Sequence, residues 1–242
     1  MPEPHNTSAV SDRAISLNDW VSSTSSMPLY AVLSNVSAAE SVKMYYRLDG
    51  SRTPQGLWGG TPYEGWYPAQ PMLVELDDSS PFLRWIAETE HLDWGWLART
   101  PIPMPTVVAH LGSLTQVLMP NGEAVFFRYW DGRFFSAHLS LMGIDWRTVV
   151  PCIPFYWING EHFMCDVVYD MPVRTSPWWQ VPQKVLTGLA QLDQMPFILN
   201  LLQQLEAQTP ELIAQYPRAA LVTRLQQHLR TTPQKTALTD II

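Results

Sequence analysis

Met72-Leu-Val-Glu-Leu76, followed by Asp77-Asp-Ser-Ser80 and Pro81-Phe-Leu-Arg-Trp-Ile86, decides how the rest of the chain is read. Five mostly apolar residues form a strand and end in an acidic turn. Ser80 then offers a side-chain oxygen to the orphan amides of a helix, and Pro81 presets the first-turn φ. Phe82, Trp85 and Ile86 fall on one helical face. A strand feeding a capped helix is the repeating unit of a layered α/β or α+β lobe.

Working outward, the same alternation continues. Leu29-Tyr-Ala-Val-Leu33 reads as a buried strand, and Ala38 to Leu48 as a helix with Val42 and Tyr45 or Tyr46 on one face. Pro54 to Pro71, rich in Gly, Pro and Trp, reads as a long loop. Trp94 to Thr100 is a strand. Val107, Leu111, Leu114 and Leu118 recur at helical spacing after Pro105. Asn121-Gly122 is a turn before a strand over Ala124 to Trp130, and Asn159-Gly160 joins Phe155–Ile158 to Phe163–Tyr169 as a hairpin. The expectation is an α/β (α+β) lobe with a mixed sheet covered by helices, over residues 27–170.

Beyond Trp179 the texture turns to Leu and Gln. Val185, Leu189 and Leu192 share a face, as do Ile198, Leu201, Leu202 and Leu205; Thr209-Pro210 and Pro217 open further helices. Residues 171–242 are therefore expected to be a smaller all-helical lobe. They hold six basic and four acidic residues, a net of +2, whereas the first 170 hold nine and eighteen, a net of −9. Residues 1–26, Ser/Thr-rich and aperiodic, are expected to be a flexible leader.

Composition excludes several classes. In 242 residues with a formal charge of −7, apolar residues make up 46% and charged ones 15%, which is not the profile of a disordered chain. The acidic balance argues against nucleic acid, and the absence of an eighteen-residue apolar run against a membrane span. The opening residues lack a basic patch followed by an apolar stretch, and Cys152 and Cys165 are too few for a disulfide framework. A cytoplasmic protein is expected. Eleven Trp, and Arg in place of all but three of the fifteen cations, fit an interaction surface and a bulky core equally well.

Motifs for catalysis are missing: no G-x-S-x-G, Walker A, G-x-G-x-x-G or H-E-x-x-H stands in the chain. Asp77-Asp78 reads as a solvated turn. Cys152, His162 and Cys165 lack zinc-like paired spacing and read as buried thiols with a neighbouring imidazole. No catalytic residue, metal or cofactor is expected. The densest stretch is Phe126-Phe-Arg-Tyr-Trp-Asp-Gly-Arg133. Read as a strand, it sets Arg128 among aromatics, where an unpaired charge is costly. Asp131 or a distant carboxylate such as Glu75 would have to pair with it. Arg128, Asp131 and Arg133 are read as a structural ion-pair network pinning the strand to the following helix.

At these residues the chain resembles the type VI secretion adaptor/chaperones, the Tap or TEC proteins. Leu29-Tyr-Ala-Val-Leu33 resembles the family's opening strand, and Leu57-Trp-Gly-Gly-Thr-Pro62 its L-F-x-G-T-P segment. Met72–Leu76 with Ser80–Trp85, Trp94-Gly-Trp-Leu97, and His110 through Pro120-Asn-Gly122 follow in the family's order. Phe127-Arg-Tyr-Trp-Asp131 is similar to its F-R-F-Y-D hallmark, but Asp131-Gly132-Arg133 replaces the usual D-P-R, and the glycine is expected to loosen that turn. The resemblance implies a cytoplasmic, non-enzymatic adaptor that binds a toxic effector and helps load it onto the VgrG spike.

Contact residues expected for such a partner are Trp178 and Trp179, then Phe197 and Leu201. The competing reading is a carbohydrate-binding module or glycan hydrolase. It would use Trp platforms with carboxylates such as Glu75, Asp77 or Glu161.

Overall fold

The computed structural model describes residues 14–165 and 174–192, positions 198, 202, 205 and 213, and 216–231, with side chains in the last stretch through residue 225. Two compact units divide the chain, Met1–Val185 and Leu186–Ile242. The expected lobe boundary after residue 170 lies outside the described residues.

The first unit is α+β. Helix α1 (Leu17–Ser23) precedes strand β1 (Leu29–Leu33), α2 (Ser41–Leu48), the two-residue β2 (Gln55–Gly56), β3 (Met72–Leu76), α3 (Pro81–Glu88) and β4 (Gly95–Arg99). Then come α4 (Met104–Ser113), β5 (Gln116–Leu118), β6 (Ala124–Phe126), α5 (Gly132–Met142), a 3-10 turn (Gly143–Thr148), β7 (Phe155–Ile158) and β8 (Glu161–Met164); α6 (Gln183–Leu192) begins in this unit and contains its boundary after Val185. Six strands make one sheet in the order β2-β3-β1-β4-β7-β8, each ladder antiparallel; β5 and β6 make a separate hairpin. Because β3 and β4 both flank β1, the capped helix α3 is the crossover between them. Ser80 caps it through the Phe82 amide, as expected.

Both faces of the sheet are covered, so β1 and β4 are buried along their whole length. Ala31, Val74, Leu97 and Trp157 pack with Trp20 of α1, Tyr45 of α2 and Phe82 of α3. On the other face Trp96 stacks on Phe135 of α5 at 4.6 Å and meets Tyr156 at 5.6 Å. In the β7–β8 turn Asn159 and Gly160 both have positive φ, as a two-residue hairpin loop requires.

Three local expectations change. Residues 14–26 are not an aperiodic leader: Ser16 caps α1 by accepting from the Asp19 amide at 3.2 Å, and Leu17, Trp20 and Val21 bury one helical face. The buried Arg99 guanidinium holds this helix down, donating to the carbonyls of Val21 and Met27 and pairing with Asp78 at 2.7 Å. Helix α4 stops at Ser113, and Leu118 belongs to β5. Gly112 is a poor helix former, and the hydroxyls of Ser113 and Thr115 bond back to the carbonyls of His110 and Gly112, competing with the helical ladder. The strand expected to reach Trp130 ends at Phe126, because the Tyr129 amide turns back to the Phe127 carbonyl at 2.9 Å and the Asp131 amide to the Arg128 carbonyl at 3.1 Å, which takes the backbone out of the ladder.

The second unit is helical where described. Ile198, Leu202, Leu205 and Leu225 form its core, with Ile213, Leu221 and Val222 packed against it and α7 spanning Arg218–Thr231. Among the described residues no helix is long and apolar enough to cross a membrane.

Candidate functional site

Leu57 and Pro71 close the Gly/Pro/Trp-rich loop with an N–H···O bond of 2.9 Å, and Asn35 donates to the Tyr67 carbonyl from outside it. Between those ends the chain folds through successive short turns, among them Thr61 N–H to Trp58 O and Trp66 N–H to Tyr63 O. Loops of this kind, closed at the ends and packed by their own side chains, present fixed surfaces.

What the loop presents is aromatic. Tyr63 lies 4.6 Å from Phe126 of β6, and Trp66 stacks on the same ring at 5.9 Å and 24°. Trp58 lies beneath, meeting Phe126 at 6.1 Å and Trp130 edge-to-face at 5.5 Å. Trp58 and Trp130 are buried, whereas Trp66 is 53% exposed, Tyr67 68% and Phe126 39%. A rigid buried base under exposed rings is the arrangement that gives protein interfaces their anchors: large contact area with little entropy to lose.

The turn after Phe126 is held from three sides. Phe127 packs against Trp146, Trp179 and His138. The Trp96 indole donates to the Tyr129 carbonyl at 2.7 Å. Asp131 caps α5, accepting from the Arg133 amide at 3.1 Å. Its carboxylate, 5% exposed, also accepts from the guanidinium of Arg128 at 2.9 Å and of Arg133 at 3.1 Å. Arg133 reaches Asp93 as well, at 3.8 Å. Arg128 does not lie among aromatics: its side chain is 56% exposed, since the strand ends before it. Gly132 does not slacken the turn. A Cβ there would sit 2.5 Å from the Gly95 carbonyl oxygen, so the glycine allows α5 to start against β4.

The expected contact residues are placed as follows. Trp179 is buried, packed on Phe127 at 5.3 Å and Trp146 at 5.9 Å, and so belongs to the core. Trp178 is half-buried; its indole donates to Ser113 Oγ at 3.0 Å, and the Arg174 guanidinium covers its ring at 4.3 Å. Phe197 and Leu201 lie outside the described residues. No contact role is read for Tyr63, Trp66 or Tyr67 in the sequence, and Phe126 stands there only as the start of the dense aromatic stretch; four aromatics within ten residues of a Gly/Pro-rich loop (Trp58 to Tyr67) are the available signal for the loop.

Among carboxylates, Glu75 and Asp77 share Arg52, at 4.0 and 3.9 Å. Glu161 lies in β8, four strands from β3 and hence about 19 Å across the sheet, beyond the separation of a glycosidase pair. Burial pushes the Cys152 thiol up to about 12 and the His138 imidazole down to about 4. Among the described residues no group of three or more His, Cys, Asp or Glu is placed to hold a metal ion.

The family model described as a domain of unknown function, DUF4123, matches residues 29–146, from the first residue of β1 to Trp146. No curated protein and no solved structure matches the chain. Both halves of the aromatic surface, the loop and the Phe126–Asp131 turn, fall inside the matched span. Over those residues the chain is similar to the DUF4123 family.

Proposed function

We propose that this protein is a non-catalytic cytoplasmic adaptor: it binds a type VI secretion effector and helps load it onto the VgrG spike. The observation that carries this reading is the exposed pair Trp66 and Phe126, stacked on each other with Phe126 seated on the buried Trp58 and Tyr67 exposed next in the chain, within the span similar to DUF4123. Such a surface grips another macromolecule by burying rings on a preformed base and needs no reacting group. Trp178, half-buried beside Arg174, is a second contact candidate.

The test is recovery of tagged full-length chain from its native bacterium, with mass spectrometry of what accompanies it. A toxin-domain protein and a spike protein are expected. Trp66→Ala or Phe126→Ala should each weaken capture by about thirty-fold, the loss typical of an interface hot spot of about 2 kcal/mol, without changing the fold. Recovery of neither partner at mild salt would refute the reading.

A further inference from the structure

The β5–β6 hairpin is finished on one side and open on the other. Met119 bonds to Glu123 and Phe127 to Thr115 through their backbones, which fixes the ladder's alternation: Val117 faces Val125 as a hydrogen-bonded pair, whereas Gln116, Leu118, Ala124 and Phe126 turn their N–H and C=O groups outward. On the β5 side those outward groups are used. Leu118 N–H donates to the Trp179 carbonyl at 2.8 Å and its carbonyl accepts from Val181 at 2.9 Å. Ser176 Oγ serves both the amide and the carbonyl of Gln116.

On the β6 side they are not. Among the described residues nothing bonds to the backbone N–H or C=O of Ala124 or Phe126, and both residues are exposed. Proteins ordinarily blunt such an edge with proline, lysine or a covering segment. Here the flank is aromatic instead, with Tyr63 and Trp66 packed on Phe126. Main-chain groups for pairing and rings for alternate side chains are the two components of strand addition.

Resting on the adaptor reading, we propose that β6 takes an extended strand from the partner protein, bonded to the backbones of Ala124 and Phe126, with apolar side chains laid on Tyr63 and Trp66. A second copy of this chain is the poorer occupant, because each copy carries a net charge of −7 and two would repel.

The test is amide hydrogen exchange on the full-length chain, alone and with millimolar acetyl-Thr-Val-Thr-Val-Thr-Val-amide. The Ala124 and Phe126 amides should exchange at least tenfold more slowly with the peptide, and Val125, already bonded to β5, should not change. The same peptide N-methylated at alternate residues should give no protection. Unchanged Ala124 and Phe126 exchange, or equal protection by the methylated peptide, overturns the proposal. Protection that rises with protein concentration in the absence of peptide overturns it in favour of self-pairing.

Ala124→Pro removes one outward N–H and no β5 bond, and it should reduce effector capture at least tenfold with native near-UV circular dichroism. Capture lost with Trp66→Ala but intact in a folded Ala124→Pro variant would leave the adaptor reading standing and remove the strand.

Discussion

The Trp96 indole N–H donates to the Tyr129 carbonyl oxygen across 2.7 Å, joining the central strand to the turn that ends in Asp131. Both residues are fully buried, so neither group has water as an alternative. The turn that carries Phe126 to the surface is thereby fixed by the core of the sheet.

Trp96→Phe keeps a ring against Phe135 but leaves the Tyr129 carbonyl without its donor. The expected loss is about 1–3 kcal/mol, the penalty for a buried unsatisfied polar group plus the smaller ring. A denaturant titration should show a lower midpoint at unchanged slope.

Asp131→Ala removes the α5 cap and leaves Arg128 and Arg133 without their shared acceptor. A loss of about 1–3 kcal/mol is expected, from a cap worth about 1 kcal/mol and the guanidinium bonds. Arg128→Ala should cost under about 1 kcal/mol, because that side chain is more than half exposed. Equal losses in the two variants, measured by thermal unfolding, would contradict this ordering.

Gly132→Ala should destabilise, although helix propensity points the other way. Propensity alone favours alanine by about 1 kcal/mol in a helix interior. The new methyl, however, meets the Gly95 carbonyl oxygen at 2.5 Å and the Leu92 carbonyl oxygen at 3.0 Å, both backbone atoms that cannot swing away. A variant as stable as the parent would show that β4 and α5 can separate without cost.

Stability should fall as pH drops through the range of ordinary histidine. Burial lowers His138 to about 4 and also lowers His110. The unfolded chain takes up these protons near pH 6.5, while the folded chain resists until lower pH, so unfolding gains protons and stability declines as pH drops. At pH 5.5 the His138 contribution alone is about 1.4 kcal/mol, rising to roughly 3 kcal/mol near pH 4. His138→Phe should reduce that dependence in urea titrations between pH 7 and 5, leaving the part due to the other imidazoles that burial lowers, His110 and His162.

Much of the fold was written locally. Ser80-Pro81 marked a helix start, Asn159-Gly160 a hairpin, and the apolar runs at Leu29 and Met72 the strands. Helix α1 escaped notice because its Ser/Thr-rich flanks hid the Leu17, Trp20 and Val21 spacing, and its anchor is Arg99, some eighty residues away. The sequence pattern reads Trp130 as strand, because its burial against Trp58 is a tertiary fact. The aromatic surface was missed for the same reason. Loop residues carry no period, and the pairing of Trp66 with Phe126 bridges sixty residues of chain that only the folded sheet brings together.

The sheet's layout bears on how this molecule can be dissected. A fragment trimmed to residues 29–146 would lack α1 and the β7–β8 hairpin. Its β4 would become a bare, sticky border, and the Arg99 guanidinium would lose the Val21 and Met27 carbonyls it grips. Minimal versions for binding work therefore need to start upstream of Ser16 and run past Val181, whatever the extent of the recognisable module.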